Sequence, residues 1–297
     1  QGGKRTVTSI GFLVYDITLM DGEERVAISL ANAMIGQYDV HLISVFFEKD
    51  KPCFPVDSRV NIHRLKDGCG SIPPHLISLC SGLRRYIRQE SIDVMFSITA
   101  GVNSVMGGAA IGTKVKTVFC EHSNLDNHFY GRKHRFRQWL GSRFCTQVVT
   151  LTERDAANFR EQFCLPAHKV RCIYNWIGDE WLEKAPDCRL DSHRIVTAGR
   201  LTKVKGYDRL TAVAQKVLER YPDWEWHIYG DGEDREQIEA DIKTRGLTGR
   251  VKLMGAHSHM REIYPQYSLY VLTFYYEGLP LAVVEGMLVV ADHRLFE

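Results

Sequence analysis

Long apolar runs are missing from this chain. No stretch approaches the roughly 18 uninterrupted apolar residues of a membrane-spanning helix, so none is expected. The opening QGGKRTVTSIGFLVY lacks the apolar core and small-residue cleavage site of a signal peptide. It also lacks an initiator methionine, which we read as a processed or partial chain. Eight scattered cysteines (Cys53, Cys69, Cys80, Cys120, Cys145, Cys164, Cys172 and Cys188) include no CxxC pair. That spacing argues against a disulfide framework or a zinc site and for reduced thiols in a cytoplasm. Net charge is only +2, too little to imply a nucleic-acid partner. No Asp-x-Asp occurs, so a paired-carboxylate metal site of that type is absent, and neither a metal nor a cofactor is expected.

What is present suits a soluble α/β enzyme. The 297 residues, 44% apolar and 25% charged, are enough for two domains, each with its own core. Apolar segments alternate with helical patterns: TSIGFLVY, DVHLISVFF, a weaker RVNIHRL, DVMFSIT, KTVFCEH, TQVVTLT and KVRCIYN read as strands. Strands apolar throughout, separated by helices, predict a parallel sheet covered on both faces. The pattern breaks in the polar WIGDEWLEKAPDCRLDSHR and resumes with RIVTAGR, WEWHIYG, RVKLMG and LYVLTF, with helices between and after them. The predicted organisation is a first domain at 1–178, a connection at 179–193 and a second domain at 194–297. Ligands in such sheets bind beyond the carboxyl ends of the strands.

One window stands apart in charge. From Asn127 to Thr152 there is no acidic residue, while Arg132, Lys133, Arg135, Arg137 and Arg143 alternate with Phe129, Tyr130, Phe136, Trp139 and Leu140. Two readings fit: a helix face lying on anionic lipid headgroups, or a solvated face over an ordinary core.

The most informative block is EGLPLAVVE. It sets Glu277 and Glu285 eight positions apart, with Gly278, Leu279 and Pro280 at a helix start. Proline is preferred at the first helical position, and the open N–H groups there form an anion site. A nucleotide diphosphate fits such a helix end. Glu277 then faces what the phosphates carry, and Glu285 accepts hydrogen bonds from a ribose diol. TAGRLTKVKGYDRL places Gly199 and Arg200 after a strand, with Lys203, Lys205 and Gly206 before a helix. Such a turn is either a capped surface loop or a diphosphate clamp, the arginine acting as a planar fork and the lysines as point charges. IYGDGEDRE provides a turn at Gly230, and RVKLMGAH ends a strand in Gly255, where backbone can meet a flat base. Gly22 in MDGEERVA stands at a strand-to-helix junction and lets the backbone approach a ligand closely. FCEHSN leaves Glu121 and His122 at a strand end; a histidine there is either hydrogen-bonded structure or functional.

In this order the pieces resemble the retaining glycosyltransferases of family 4. The resemblance runs through EERVA, His122, the NWIG turn at Asn175, GRLTKVKG, YGDGEDRE, the strand into MGA, and EGLPLAVVE. The segment GFLVYDITLMDGEERVAISLANAM looks like bacterial capsule, O-antigen or exopolysaccharide enzymes of that family. The resemblance implies the α/β GT-B fold: two doubly wound, Rossmann-like domains facing across a cleft, the second one here incomplete. It implies a UDP-sugar donor whose diphosphate meets Gly22, Arg200, Lys205, Gly278 and Leu279, with Glu285, Gly230 and Gly255 at the ribose and base. Glu277 would meet the donor sugar, and His122 would line its site. Transfer would proceed with retention, the departing phosphate taking the acceptor's proton. Cations and a helix end, carrying about half a positive charge, would serve where other enzymes use a metal. The acceptor would be a lipid-linked saccharide or growing glycan at the inner face of a bacterial cytoplasmic membrane, with peripheral contact through Arg132, Lys133, Arg135 and Arg137.

Two features depart from the family pattern. Asp21 occupies a position where glycine is usual, and a carboxylate there disfavours a nearby diphosphate. After Glu285 the chain reads GMLVVADHRLFE in place of a Gly-Pro turn and further elements, so a truncated C-terminus is expected, with LVVAD as a residual strand. An unpaired sheet edge and exposed apolar surface would follow. Two other functions are compatible with these departures: a catalytically inactive nucleotide-binding remnant or scaffold, and a sugar-nucleotide epimerase. GRLTKVKG and EGLPLAVVE argue against the epimerase.

Overall fold

The computed structural model describes residues 7–98, 100–125, 131–178, 181, 188–257 and 259–291, the side chains of 290 and 291 excepted. The chain separates into two compact units, Gln1–Trp176 and Ile177–Glu297.

The first unit alternates β1 (Ser9–Val14), α1 (Gly22–Met34), β2 (Asp39–Ser44), β3 (Asn61–Arg64), α2 (Ile72–Gln89), β4 (Val94–Ile98), α3 (Ala100–Ala110), β5 (Lys116–Glu121), α4 (Arg132–Phe144), β6 (Gln147–Thr150), α5 (Glu153–Phe163) and β7 (Val170–Cys172). All seven strands are parallel, in the order β3-β2-β1-β4-β5-β6-β7. Successive residues of a strand point to opposite faces, and both faces of the central strands are covered, so β1 and the middle of β4 and β5 are mostly apolar, whereas the edge strand β3 is polar and exposed. Leu13 packs with Ile43, Leu83 and Met95 on the α2–α3 side. Its neighbours Phe12 and Val14 pack with Ala27, Ile28 and Ala31 of α1 on the other. The sheet grows outward in both directions from β1, so the gap between the ends of β1 and β4 is its switch point, where crevices form.

The second unit runs β8 (Arg194–Ala198), α6 (Tyr207–Arg220), β9 (Glu225–Tyr229), α7 (Arg235–Thr244), β10 (Val251–Gly255), α8 (Met260–Ile263), β11 (Leu269–Tyr270) and α9 (Leu281–Ala291). Its four parallel strands lie in the order β10-β9-β8-β11, with the switch point between β8 and β11. Leu210, Ala214 and Leu218, spaced four apart along α6, pack with Ile195, Trp226 and Ile228 on one face. Val196, Ala198, Tyr264, Tyr267 and Val289 close the other.

The structure corrects two expectations, on LVVAD and on LYVLTF. LVVAD is not a residual strand: its described residues continue helix α9. Through Ala291, the last described residue, nothing breaks the helix after Glu285, and Gly286 lets it lie close to the Tyr270 ring, which an added Cβ would approach to 3.1 Å. LYVLTF forms only the two-residue β11. Beyond it the chain turns aside to pair with the loop after β8, the Tyr275 N–H donating to the Val204 carbonyl at 2.8 Å. Of the expected connection at 179–193, residues 179, 180 and 182–187 lie outside the described residues. Trp181 is buried in the second core, and the Arg189 N–H donates to the Pro265 carbonyl. Among the described residues, no helix is long and apolar enough to cross a membrane.

Candidate functional site

In the second unit the loops leaving β8 and β11 meet at the switch point. The β8 loop enters a 3-10 turn at Lys203–Lys205 and reaches α6 through Gly206, which adopts φ +68. An added Cβ on Gly206 would sit 2.2 Å from the Thr273 carbonyl oxygen, so only glycine permits this approach of the two loops. The Thr273 hydroxyl donates back to the Gly206 carbonyl at 2.9 Å. The Tyr275 hydroxyl meets Asp208 at 2.6 Å, with the Arg209 guanidinium 3.5 Å above the Tyr275 ring.

This bracing brings Lys205 against Glu277, seventy-two residues later in sequence, as a direct, half-buried ion pair. The lysine stem lies beside Gly199, and the Tyr207 hydroxyl donates to the Gly199 carbonyl at 2.9 Å. Burial and then the Glu277 charge push the Tyr207 phenol above its usual range, so it stays a neutral donor. Arg200 leaves the same strand end with its side chain half-exposed, 3.6 Å from Glu233. A pair that exposed is worth roughly 0–1 kcal/mol. Lys205 and Glu277, singled out in the sequence, thus meet directly, while Arg200 leaves the end of the same strand toward Glu233. The direct Lys205–Glu277 pairing was not readable from spacing.

Gly199, Gly230 and Gly255 lie side by side at or just beyond the ends of β8, β9 and β10. The Gly199 N–H donates to the Tyr229 carbonyl, and the Gly230 N–H donates to the Gly255 carbonyl. Gly230 (φ +146) is required by packing, because a Cβ there would fall 1.9 Å from the Gly199 oxygen. Gly255 (φ +80) has open space where its Cβ would be. Gly278, Leu279 and Pro280 precede α9, which begins at Leu281, one position later than the proline-first reading. Glu285 differs more from its expected role. It is 2% exposed, inside the unit rather than open to a diol, and its charge helps raise the Tyr270 phenol, though burial does most.

In the first unit Gly22 opens α1 beside the sheet's switch point, with open space where a Cβ would be. Asp21 occupies the N-cap position in extended conformation without capping through its side chain. Its charge is felt by Glu24, which the sequence reading passed over. Glu24 is 3% exposed, and burial, then Asp21, push its carboxyl up to about 8. The Asp-x-x-Glu spacing at a helix start was the available signal for it. His122 follows β5 on the same carboxyl edge of the sheet. Some of its surface remains accessible, yet desolvation by the surrounding protein lowers its pKa to about 4, so the ring is neutral at pH 7. Its neighbour Glu121 is fully enclosed. It accepts from the Ser123 N–H at 2.9 Å, the Ser123 hydroxyl at 2.5 Å and the Gln138 amide of α4 at 3.1 Å. Burial still raises its pKa. Among the described residues no three His, Cys, Asp or Glu side chains gather as metal ligands would.

Known proteins match both parts of the chain. The family model described as Glycosyltransferase Family 4 matches residues 20–181, and that described as Glycosyl transferases group 1 matches residues 182–289. The chain is 29% identical over 281 residues to an uncharacterized glycosyltransferase of Haemophilus influenzae, covering 94% of this chain and 77% of that one. It is 24% identical to a Campylobacter jejuni protein named as an N-acetylgalactosaminyltransferase acting on an undecaprenol-linked diphosphosaccharide, covering 90% of this chain and 73% of the relative. Among solved structures, Alr3699/HepE of Anabaena, crystallised with UDP-glucose, superposes with a TM-score of 0.75 at 17% identity, over 95% of this chain and 78% of that one. With one family model spanning more than half of its length and the parallel two-sheet fold to match, the chain belongs to glycosyltransferase family 4.

Proposed function

We propose that this GT-B glycosyltransferase moves a sugar from a UDP-sugar to a lipid-linked or polysaccharide glycan acceptor, with retention of configuration and without a metal ion. The observation that carries this reading is the Lys205–Glu277 pair beside Arg200 at the switch point of the second sheet. In this reading Arg200 and Lys205 hold the diphosphate, and Glu277 accepts hydrogen bonds from hydroxyls of the donor sugar. The preference for UDP is supported by the Anabaena structure with UDP-glucose. The lipid-linked acceptor is supported by the Campylobacter relative, whose named substrate is an undecaprenol-linked saccharide. Work on such an acceptor belongs at the inner face of the cytoplasmic membrane.

In this reading the bond from the anomeric carbon to the diphosphate oxygen breaks as the acceptor oxygen bonds to the same face. The acceptor's proton passes to the departing diphosphate, so no protein base is consumed. Arg200 and Lys205 stabilise the charge that develops on the leaving group, the largest contribution a preorganised site makes. His122, neutral at pH 7, contributes a hydrogen bond rather than a charge.

Calorimetric titration with UDP, GDP and ADP tests the donor, and transfer in the presence of a chelator tests metal independence. UDP binding that outranks the other two, undiminished transfer after chelation and an axial-to-axial or equatorial-to-equatorial product would bear the reading out. A folded protein that binds no nucleotide and hydrolyses no nucleotide sugar would sink it.

A further inference from the structure

Helix α4 is built inside out. The two residues it buries are the polar Gln138 (3% exposed) and Ser142 (0%), one turn apart. Its large apolar side chains point the other way: Phe136 is 58% exposed, Trp139 40% and Phe144 72%. A helix that folds only against its own core does the reverse, placing aromatics inward and polar groups outward. The inward face has specific partners. Gln138 donates to Glu121, and Gly141 lies so close to Asn103 of α3 that any Cβ would collide with its amide. The outward face therefore does not result from a missing fit on the inward one.

Charge says what the outward face meets. Arg132, Lys133, Arg135, Arg137 and Arg143 are all exposed, and no acidic residue lies between Asn127 and Thr152. Lys169, whose ammonium donates to the Arg143 carbonyl at 2.8 Å, adds a cation at the helix's C-terminal end. Phe136 and Trp139 stand ring to ring, 5.6 Å between centroids, among these cations. Aromatics that sit at the headgroup level, ringed by lysine and arginine, are the pattern of a helix lying in a membrane interface.

We propose that α4 docks this protein on an anionic bilayer, Phe136, Trp139 and Phe144 entering the headgroup region and the cations pairing with lipid phosphates. This face deepens the proposed membrane-borne acceptor by naming the surface that reaches it. The hydrogen bond from Gln138 to Glu121 ties the docked helix to the strand end that carries His122.

The test uses the full chain without donor or acceptor, so its outcome is separate from the transferase reading. Sedimentation with vesicles of phosphatidylcholine alone, and of phosphatidylcholine with phosphatidylglycerol, is followed at rising salt. Binding is expected only with the anionic lipid and is expected to weaken with salt. Arg132→Ala, Lys133→Ala and Arg137→Ala each lower partitioning about five-fold. Phe136→Ala/Trp139→Ala/Phe144→Ala abolishes it, whereas Ile77→Ala, on the exposed surface of α2, leaves it unchanged. Vesicles shift the tryptophan emission to the blue in the unaltered chain and leave it unshifted in Trp139→Phe. All of these side chains are exposed, and circular dichroism verifies that each variant is folded. Equal binding to both vesicle types, no binding by the folded chain, or α4 variants that bind like the unaltered protein would each overturn the proposal.

Discussion

A lysine already neutralised by a glutamate is a weaker anion site than its charge suggests, and the two partners should separate on mutation. Removing Lys205 takes away a charge-assisted contact worth about 1.5–3 kcal/mol, so Lys205→Met should weaken UDP binding by about ten- to a hundred-fold in calorimetry. Glu277→Gln removes the charge that competes with phosphate for the ammonium. It should bind UDP at least as tightly while turnover falls, a split in which KM for the donor holds and kcat drops. Equal losses in binding from both variants would contradict these roles. Glu24 gives a second residue-level expectation. Its carboxyl titrates near 4.5 when unfolded and near 8 in the native state, so the native state holds the extra proton between those values. Stability from this group is complete below about pH 4.5, falls as pH rises through the window and levels off above about 8. His122 and His134, both lowered to about 4, act oppositely below about pH 6.5, while the enclosed Glu121, also raised by burial, acts in the same sense as Glu24, so the Glu24 share is read from its own variant. Between about pH 6.5 and 8 the Glu24 share of the fall in unfolding free energy should be at most about 1.4 kcal/mol per pH unit, and Glu24→Gln should make the slope shallower by that share.

At the scale of elements, the row of glycines at the carboxyl edge of the second sheet separates packing from ligand access. In Gly230→Ala a methyl group must fit 1.9 Å from the Gly199 oxygen at φ +146, so β8 and β9 have to part. Urea unfolding should show a loss above about 2 kcal/mol. Gly255→Ala meets open space at φ +80 and should cost only about 1 kcal/mol of backbone strain. If both lost the same amount, the tight approach at Gly230 would be refuted. These elements also show what periodicity can convey. The α6 pattern of Leu210, Ala214 and Leu218 is local and matches the helix as found, Tyr207–Arg220. Strands β1 and β2 were legible because a parallel sheet covered on both faces favours apolar residues on both, even with the buried His41 inside β2. LVVAD was misread because a short apolar run such as Leu288, Val289, Val290 and Ala291 suits a strand or a buried helix equally, and only the helix already running through Glu285 decides between them. Lys205 and Glu277 were each visible as residues of the right type. Their contact was not, because it depends on Gly206 and Thr273 drawing two loops together across seventy residues. The burial of Glu285 was hidden for the same reason.

Over the whole molecule, each unit holds its own cores, and the cations and carboxylates proposed to meet the donor all belong to the second. UDP that binds there stabilises that unit by mass action, about 2.7 kcal/mol at a hundred-fold excess over Kd. The stabilisation should appear as slowed hydrogen exchange in residues 199–206, where the loop leaves β8, and 271–285, through the loop before α9 and its first turn. Backbone amides of the β1–β2 core, which contribute nothing to the Lys205–Glu277 cluster, should exchange at the same rate with and without UDP. Gly22 is the informative exception in the first unit. Its open approach at the start of α1 matters to the donor only if UDP also protects amides of residues 21–24. Protection at both 199–206 and 21–24 would add Gly22 to the residues that respond to the nucleotide. Protection confined to 199–206 and 271–285 would assign the diphosphate to Arg200 and Lys205 alone. Protection of the first unit without the second would remove the donor site from the residues named for it.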